Sequence, residues 1–372
     1  MSSGPRIIGL DVLRALAIGG VVLSHGLVFL YPHVPALELG GIRLGLYHLG
    51  HSGYYGVELF FVLSGFLIGG LLLDIGPRLE HGRELARFYA RRWFRTLPNY
   101  YLFLLVNLAL IVWVFPQAVP WGRVGGYALF LQTFAQRKTF FFLESWSLCI
   151  EEWFYLLFPF GVWLVLRTGR KFGTAFLAVG ISLYLGSTLG RLGYALNPAN
   201  GWSEDLREIV LIRFDALMTG ILAAWVCRRH PLAFARSPRA FALAGTALLI
   251  ACYATLYWPD AQNQSLFDRT IRFNLVSLGF ALLLPQAQRT LATRNRWFNA
   301  SAGAIARWSY SMYLVHLPLH RLLRDRIFPM NQTSPLQGWA SFAAFMVGTV
   351  AVSAAVYRWF ERPTTRLRDR WT

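Results

Sequence analysis

IIGLDVLRALAIGGVVLSHGLVFLY, residues 7–31, is a hydrophobic run that carries Asp11, Arg14 and His25. It is long enough to cross a bilayer, for which roughly 20 apolar residues suffice. Charges at membrane depth are costly and face a bundle interior or a wet cavity. At 3.6 residues per turn, Asp11 and Arg14 are neighbours on one helix face. His25 follows Arg14 by eleven residues, three turns, and so returns to nearly that face, roughly 16 Å further along at 1.5 Å per residue. The stretch predicts a helix with one polar stripe, around which the rest of the chain is expected to pack.

Composition widens this reading to the whole chain. Of 372 residues, 55% are hydrophobic, 16% aromatic and 15% charged, against about 25% charged in a soluble protein. Repeated apolar runs near twenty residues long point to an all-α, polytopic helical membrane protein. The formal net charge of +18 raises nucleic acid as a partner. The arginines, however, cluster in short loops between apolar spans, the positive-inside pattern, and no separate basic domain stands apart. The expected partner is the lipid bilayer, with no nucleic acid. Cys149, Cys227 and Cys252 fall in apolar stretches and read as small buried hydrophobes, not as a disulfide framework or a thiolate metal site. No metal is expected. Only Arg6 precedes the first run, which itself holds an Asp and an Arg. A cleaved signal peptide has an uncharged core, so this segment is read as retained.

Ten spans are expected, at about 7–31, 54–75, 97–116, 145–166, 172–194, 208–227, 239–258, 269–287, 304–323 and 339–360. A short outer or re-entrant helix and loop is expected at 123–143, because Val124 to Phe134 is apolar but too short to cross and is followed by Arg137 and Lys138. With the N-terminus inside, the cytoplasmic side holds Arg78, Arg83, Arg87, Arg91, Arg92 and Arg95, then Arg167, Arg170 and Lys171, then Arg228 and Arg229, and a tail running from Arg358 to Arg368 and Arg370. The outer loops hold fewer, among them Arg43, Arg123 and Arg207. The imbalance places both termini in the cytoplasm, in a cell (inner) membrane. The chain reads as one integral-membrane domain, 1–372, with no appended soluble domain and no inverted repeat of the transporter kind.

Ionisable residues within the spans fall into two layers. His25, Glu58, Glu151, Glu152, Arg213, Asp215 and Arg272 are expected in the outer half, with His316 near the middle of its span, so that several helices meet in one cavity. A structural ion pair, such as Arg213 with a nearby carboxylate, is the alternative. The inner layer is RRWFR, residues 91–95, where the first cytoplasmic loop enters a span. Arg92 and Arg95 are three apart and share a face, and guanidinium forks suit phosphate. Anchoring on anionic headgroups is the blander account. Histidine is the natural general base near neutral pH. An Arg–Asp pair at the cytoplasmic end and a histidine toward the outer end suggest a long thin donor, with phosphates at one end and a reactive group at the other. Coenzyme A thioesters have that shape. Trp121, Trp146, Trp202 and Trp258 lie at outer span ends or loops, where an aromatic belt is the simpler account than sugar stacking.

The ordered motifs resemble the membrane-bound acyltransferase-3 family over essentially the whole chain. They are Arg14 and His25 within GLDVLRALAI…SH at 9–25, ELFFVLSGFLI at 58–68, RRWFRTLP at 91–98, SWSLCIEEWFYLLFP at 145–159, RFDALMTG at 213–220, YSMYLVHLPL at 310–319 and ERP at 361–363. The resemblance implies O-acyl transfer from cytoplasmic acyl-CoA, often acetyl-CoA, to a carbohydrate or lipid-linked acceptor on the far side. Carried over, Arg14 and His25 are the core pair, Arg91, Arg92 and Arg95 meet the coenzyme A phosphates with Arg14, and Glu151 is the functional member of the Glu151–Glu152 pair. Asp11 is expected to hold Arg14. Glu58, Glu152, Arg213, Asp215 and His316 are expected on the substrate side. The chain resembles the stand-alone branch, without a C-terminal hydrolase-like domain. The serine of SGFL, Ser64, reads most simply as a small packing residue. The rival function is a proton-coupled transporter or flippase of a polar lipid or sugar.

Overall fold

The computed structural model describes residues 7–367 apart from 35–36, 40–41, 45–48, 51, 118, 120, 137–138, 256–264, 291 and 330–333. Arg6, Arg137, Lys138, Trp258, Arg368 and Arg370, together with the side chain of Arg43, lie outside the described residues. The elements are α1 (Ile8–Gly26), α2 (Ser52–Ile75), α3 (Gly82–Ala109), α4 (Trp121–Ala128), α5 (Ser145–Leu166), α6 (Phe172–Ala195), α7 (Asp215–Arg229), α8 (Pro238–Ala254), α9 (Ile271–Arg289), α10 (Arg296–Leu322) and α11 (Pro335–Val356). One small hairpin, Leu37–Leu39 against Ile42–Leu44, follows α1. The protein is an all-α, polytopic helical membrane protein. Each expected span has its helix, and α4 is the short extra one.

Among the described residues, six helical segments are both long and apolar enough to cross a membrane by themselves: Ile8–Phe29, Ser52–Glu80, Gly82–Val114, Ser145–Leu166, Phe172–Ala195 and Pro335–Leu367. Of the helices at the other four expected spans, α7 and α8 have 15 and 17 residues. The remaining two, α9 and α10, carry buried polar side chains, Arg272 and Ser277 on one and Ser311, His316 and His320 on the other. Such residues are tolerated because they face protein rather than lipid.

Helix α1 is central: it packs against α2, α9, α10 and α11. Between α2 and α7 the approach is closer still. A Cβ on Gly65 would run into the Leu217 carbonyl, and one on Gly220 into the Val62 carbonyl. Small residues give membrane helices this proximity where no hydrophobic force drives them together.

Two boundaries that bear on the site differ from the hydropathy reading. First, α3 begins at Gly82, fifteen residues ahead of 97. Its early turns are too charged to register as a span, but they are helical and packed: the Tyr89 hydroxyl donates to Leu156 O of α5 at 2.9 Å. Second, α7 begins at Asp215, and 208–214 is a loop containing the short turn Val210–Ile212. Arg213 therefore precedes the helix in place of lying within it. The loop after α4 turns at Phe130, whose φ of 56° is costly for a bulky side chain. Its carbonyl is held by Trp153 Nε1 at 2.8 Å and Cys149 Sγ at 2.6 Å, both on α5.

Candidate active site

A cavity of about 570 Å³ opens among α1, α2, α3, α5, α7, α9 and α10. Along α2 its wall runs from Asp74 to Val57, about 25 Å at 1.5 Å per residue. Arg14, Arg92, Arg95 and Glu151 all line it. Arg14 lies within electrostatic reach of Arg92, Arg95 and Asp11. Arg92 stacks over the Tyr155 ring at 4.1 Å, and its Nε is buried without a hydrogen-bond partner among the described residues. The Ser64 hydroxyl, also in the wall, donates to Glu151 Oε1 at 2.7 Å. Ser64 thus faces the cavity, and the packing expected of it falls to its neighbour Gly65.

The arginine and glutamate motifs, expected at different depths, meet in this one cavity. The early start of α3 is the reason, since it makes the Arg92–Arg95 turn helical and seats Arg92 over Tyr155. Arg92 and Arg95 share the cavity face. Arg91, one residue and 100° off, is exposed and outside the wall. Glu152 is half-buried, faces Thr96 and Arg92, and is not in the wall. Three guanidiniums on one concave surface focus a positive potential into it.

His25 does not line the cavity. It is half-buried, with its ring 5.1 Å from that of His316 and 6.2 Å from that of His320. His316 Nδ1 meets the Tyr313 carbonyl at 2.6 Å. Tyr313 is shared between the two places. It lines the cavity, its ring lies 5.4 Å from His316, and its hydroxyl shares a 2.6 Å hydrogen bond with Ser147. Near the histidines, Arg207 is flanked by Trp146 at 5.0 Å and Trp202 at 5.8 Å, and lies within electrostatic reach of both His25 and Tyr313.

Glu58, Arg213 and Asp215 form a third, separate place. Arg213 NH2 donates to Glu58, its Nε lies 3.3 Å from Asp215 Oδ1, and Arg191 NH1 lies 2.9 Å from Asp215 Oδ2. All four side chains are fully buried. Both guanidiniums lie over the Phe273 ring, Arg213 at 4.5 Å and Arg191 at 4.7 Å. Two carboxylates balance two guanidiniums, and none of the four lines the cavity. The outer-half layer expected to meet in one cavity is therefore divided. In a dry interior each carboxylate closes on the nearest guanidinium, because an unpaired charge there is prohibitive.

Several residues of these sites carried no motif weight of their own. Tyr313 and His320 stand one turn either side of His316, at i−3 and i+4, a spacing that would have marked them. Arg191 and Arg207 are isolated in sequence, and only folding shows their partners. The glutamate of ERP, Glu361, accepts from Ser311 Oγ at 2.5 Å and Asn99 Nδ2 at 3.1 Å, tying the chain's last turns to α3 and α10.

Comparison with known proteins agrees with this architecture. The family model described as Acyltransferase domain (Acyl_transf_3) matches residues 7–358. The chain is 26% identical over 359 residues to the peptidoglycan O-acetyltransferase OatA of Listeria monocytogenes, covering 89% of this chain and 56% of that protein. It is 31% identical over 179 residues to the O-acetyltransferase OatA of Staphylococcus aureus, covering 44% and 26% respectively. It is 26% identical over 342 residues to YrhL of Bacillus subtilis, covering 84% and 50%. The chain thus spans about half the length, or less, of these relatives. No solved structure matches. A family model that covers nearly every helix of the bundle, the cavity included, makes this chain a member of the membrane acyltransferase-3 family.

Proposed function

We propose that the protein transfers an acyl group, probed first as acetyl, from cytoplasmic acyl-CoA to a hydroxyl of a carbohydrate or lipid-linked sugar on the far side of the membrane. The names of the relatives, peptidoglycan O-acetyltransferase among them, supply the reaction class. One observation carries the reading. A single cavity holds Arg14, Arg92 and Arg95 and ends against Tyr313, behind which stand His316 and His25.

The donor fits the cavity's chemistry. Arg92 Nε is a buried donor without a partner among the described residues, and a phosphate oxygen satisfies it with a charge-assisted bond. The pantetheine arm then runs along α2 toward Val57 and Tyr313. On the acceptor side, His25 takes the proton from the sugar hydroxyl. That oxygen attacks the thioester carbonyl, the C–S bond breaks, and the coenzyme A thiolate takes the proton from the imidazolium. Positioned general-base catalysis of this kind contributes about 10²–10⁴-fold. Trp146, Arg207 and Trp202 offer the acceptor ring faces and a cation beside His25.

The test is purified protein given radiolabelled acetyl-CoA and a glycan acceptor. Wild type labels the glycan, and His25→Ala loses at least about two orders of magnitude in rate; product formed by the variant at the wild-type rate refutes His25 as the base. For the donor end, Arg92→Ala and Arg95→Ala each weaken acetyl-CoA binding by about ten-fold or more, the worth of a hydrogen bond to a charged group. Unchanged affinity in the double variant removes the arginines from the donor site.

A further inference from the structure

The cavity has a second guanidinium level, which the Arg14–Arg92–Arg95 group does not account for. Arg228, in the last turn of α7, lines it together with Asp74 and Gln288. Arg228 NH2 donates to Asp74 Oδ1 at 2.7 Å, and the two side chains are 58% and 50% exposed. Asp74 lies ten residues beyond Ser64 on α2, about 15 Å along the helix. Ser64 bonds Glu151, which lies within electrostatic reach of Arg92 and Arg95. The cavity therefore holds cations at two levels along α2, one beside Ser64 and Glu151 and one beside Asp74.

We propose that Arg228 binds the ribose 3′-phosphate of the acyl-CoA donor, while Arg14, Arg92 and Arg95 take its pyrophosphate. This rests on reading the cavity as the donor site. Coenzyme A carries its phosphates in two groups on one ribose, a pyrophosphate at the 5′ carbon and a monoester at the 3′ carbon. A donor whose pyrophosphate lies among the inner arginines, with its pantetheine directed toward Tyr313, leaves its adenosine at the Asp74–Arg228 end. An exposed carboxylate–guanidinium pair contributes little, whereas a guanidinium fork takes a phosphate dianion with two parallel bonds. The 3′-phosphate thus replaces Asp74 as the partner of Arg228. The same fork would also suit an anionic lipid headgroup, and the donor's own chemistry separates the two sources.

The experiment measures dissociation constants of acetyl-CoA and 3′-dephospho-acetyl-CoA in micelles free of anionic lipid, for wild type, Arg228→Gln and Asp74→Asn. Wild type is expected to favour acetyl-CoA by about ten-fold or more. Arg228→Gln brings the ratio toward one, and Asp74→Asn, which frees the fork, keeps it. On wild type alone, adenosine 3′,5′-bisphosphate competes better than adenosine 5′-phosphate. A wild type that binds both donors equally overturns the 3′-phosphate subsite and leaves the donor reading standing. Preserved discrimination in Arg228→Gln overturns it too, as does its loss in Asp74→Asn, which makes the pair only a strut between α2 and α7. Failure of wild type to bind either donor removes the donor reading and the subsite with it.

Discussion

Arg213 shows what a single side chain decides in this bundle. It is fully buried, bonded to Glu58, close to Asp215, and donates through NH1 to Arg207 O at 3.2 Å. Removing one partner of a buried ion pair strands the others. Arg213→Ala is expected to cost about 3–5 kcal/mol, read as a drop in the thermal unfolding midpoint in detergent. Arg213→Lys should recover little, because an ammonium lacks the fork that reaches two carboxylates and a carbonyl. A near-wild-type midpoint in Arg213→Ala would mean that Arg191 balances both carboxylates unaided. The sequence marked Glu58, Arg213 and Asp215 as intramembrane charges, but it did not pair Arg191, 22 residues before Arg213, with them. Pairing of buried charges is a three-dimensional fact, and hydropathy ranks each residue alone.

At the scale of elements, spans were legible and their ends were not. A run of twenty apolar residues must be helical in lipid, where each backbone group has to be satisfied internally. The charged turns of α3 escape that argument, yet they place Arg92 and Arg95 on the cavity. Close approach of helices is the other hidden element. Gly65→Leu is expected to drive a side chain into the Leu217 carbonyl and part α2 from α7, at a cost well above the 1–3 kcal/mol typical of overpacking. Gly19→Ala, where an added methyl meets open space, should be neutral or slightly stabilising, since Ala is the better helix former. Size-exclusion profiles and unfolding midpoints of the two variants check this, and equal behaviour would deny the α2–α7 contact.

For the whole molecule, sidedness follows from charge. We expect the turn between α5 and α6, which adjoins Arg167, Arg170 and Lys171, to face the cytoplasm, and the turn after α6 at 197–201 to face outward. With the native cysteines replaced, a membrane-impermeant maleimide on intact cells should label Ala199→Cys and spare Thr168→Cys; the reverse pattern inverts the proposed direction of transfer. The sequence by itself determined the helical membrane class and the family, because the hydrophobic thickness of a bilayer fixes span length and ordered motifs survive linear reading. It also singled out Arg14, His25, Arg92, Arg95 and Glu151 as candidate site residues. Only the tertiary structure decided which of them share a space. The polar stripe of 7–31 is divided by the fold: Arg14 opens onto the cavity with Arg92, Arg95 and Glu151, while His25 lies against His316, with Tyr313 between the two places. Eleven residues of helix set the separation of Arg14 and His25, but Tyr313, which the two places share, belongs to α10 and bonds Ser147 of α5, and no spacing along α1 encodes that.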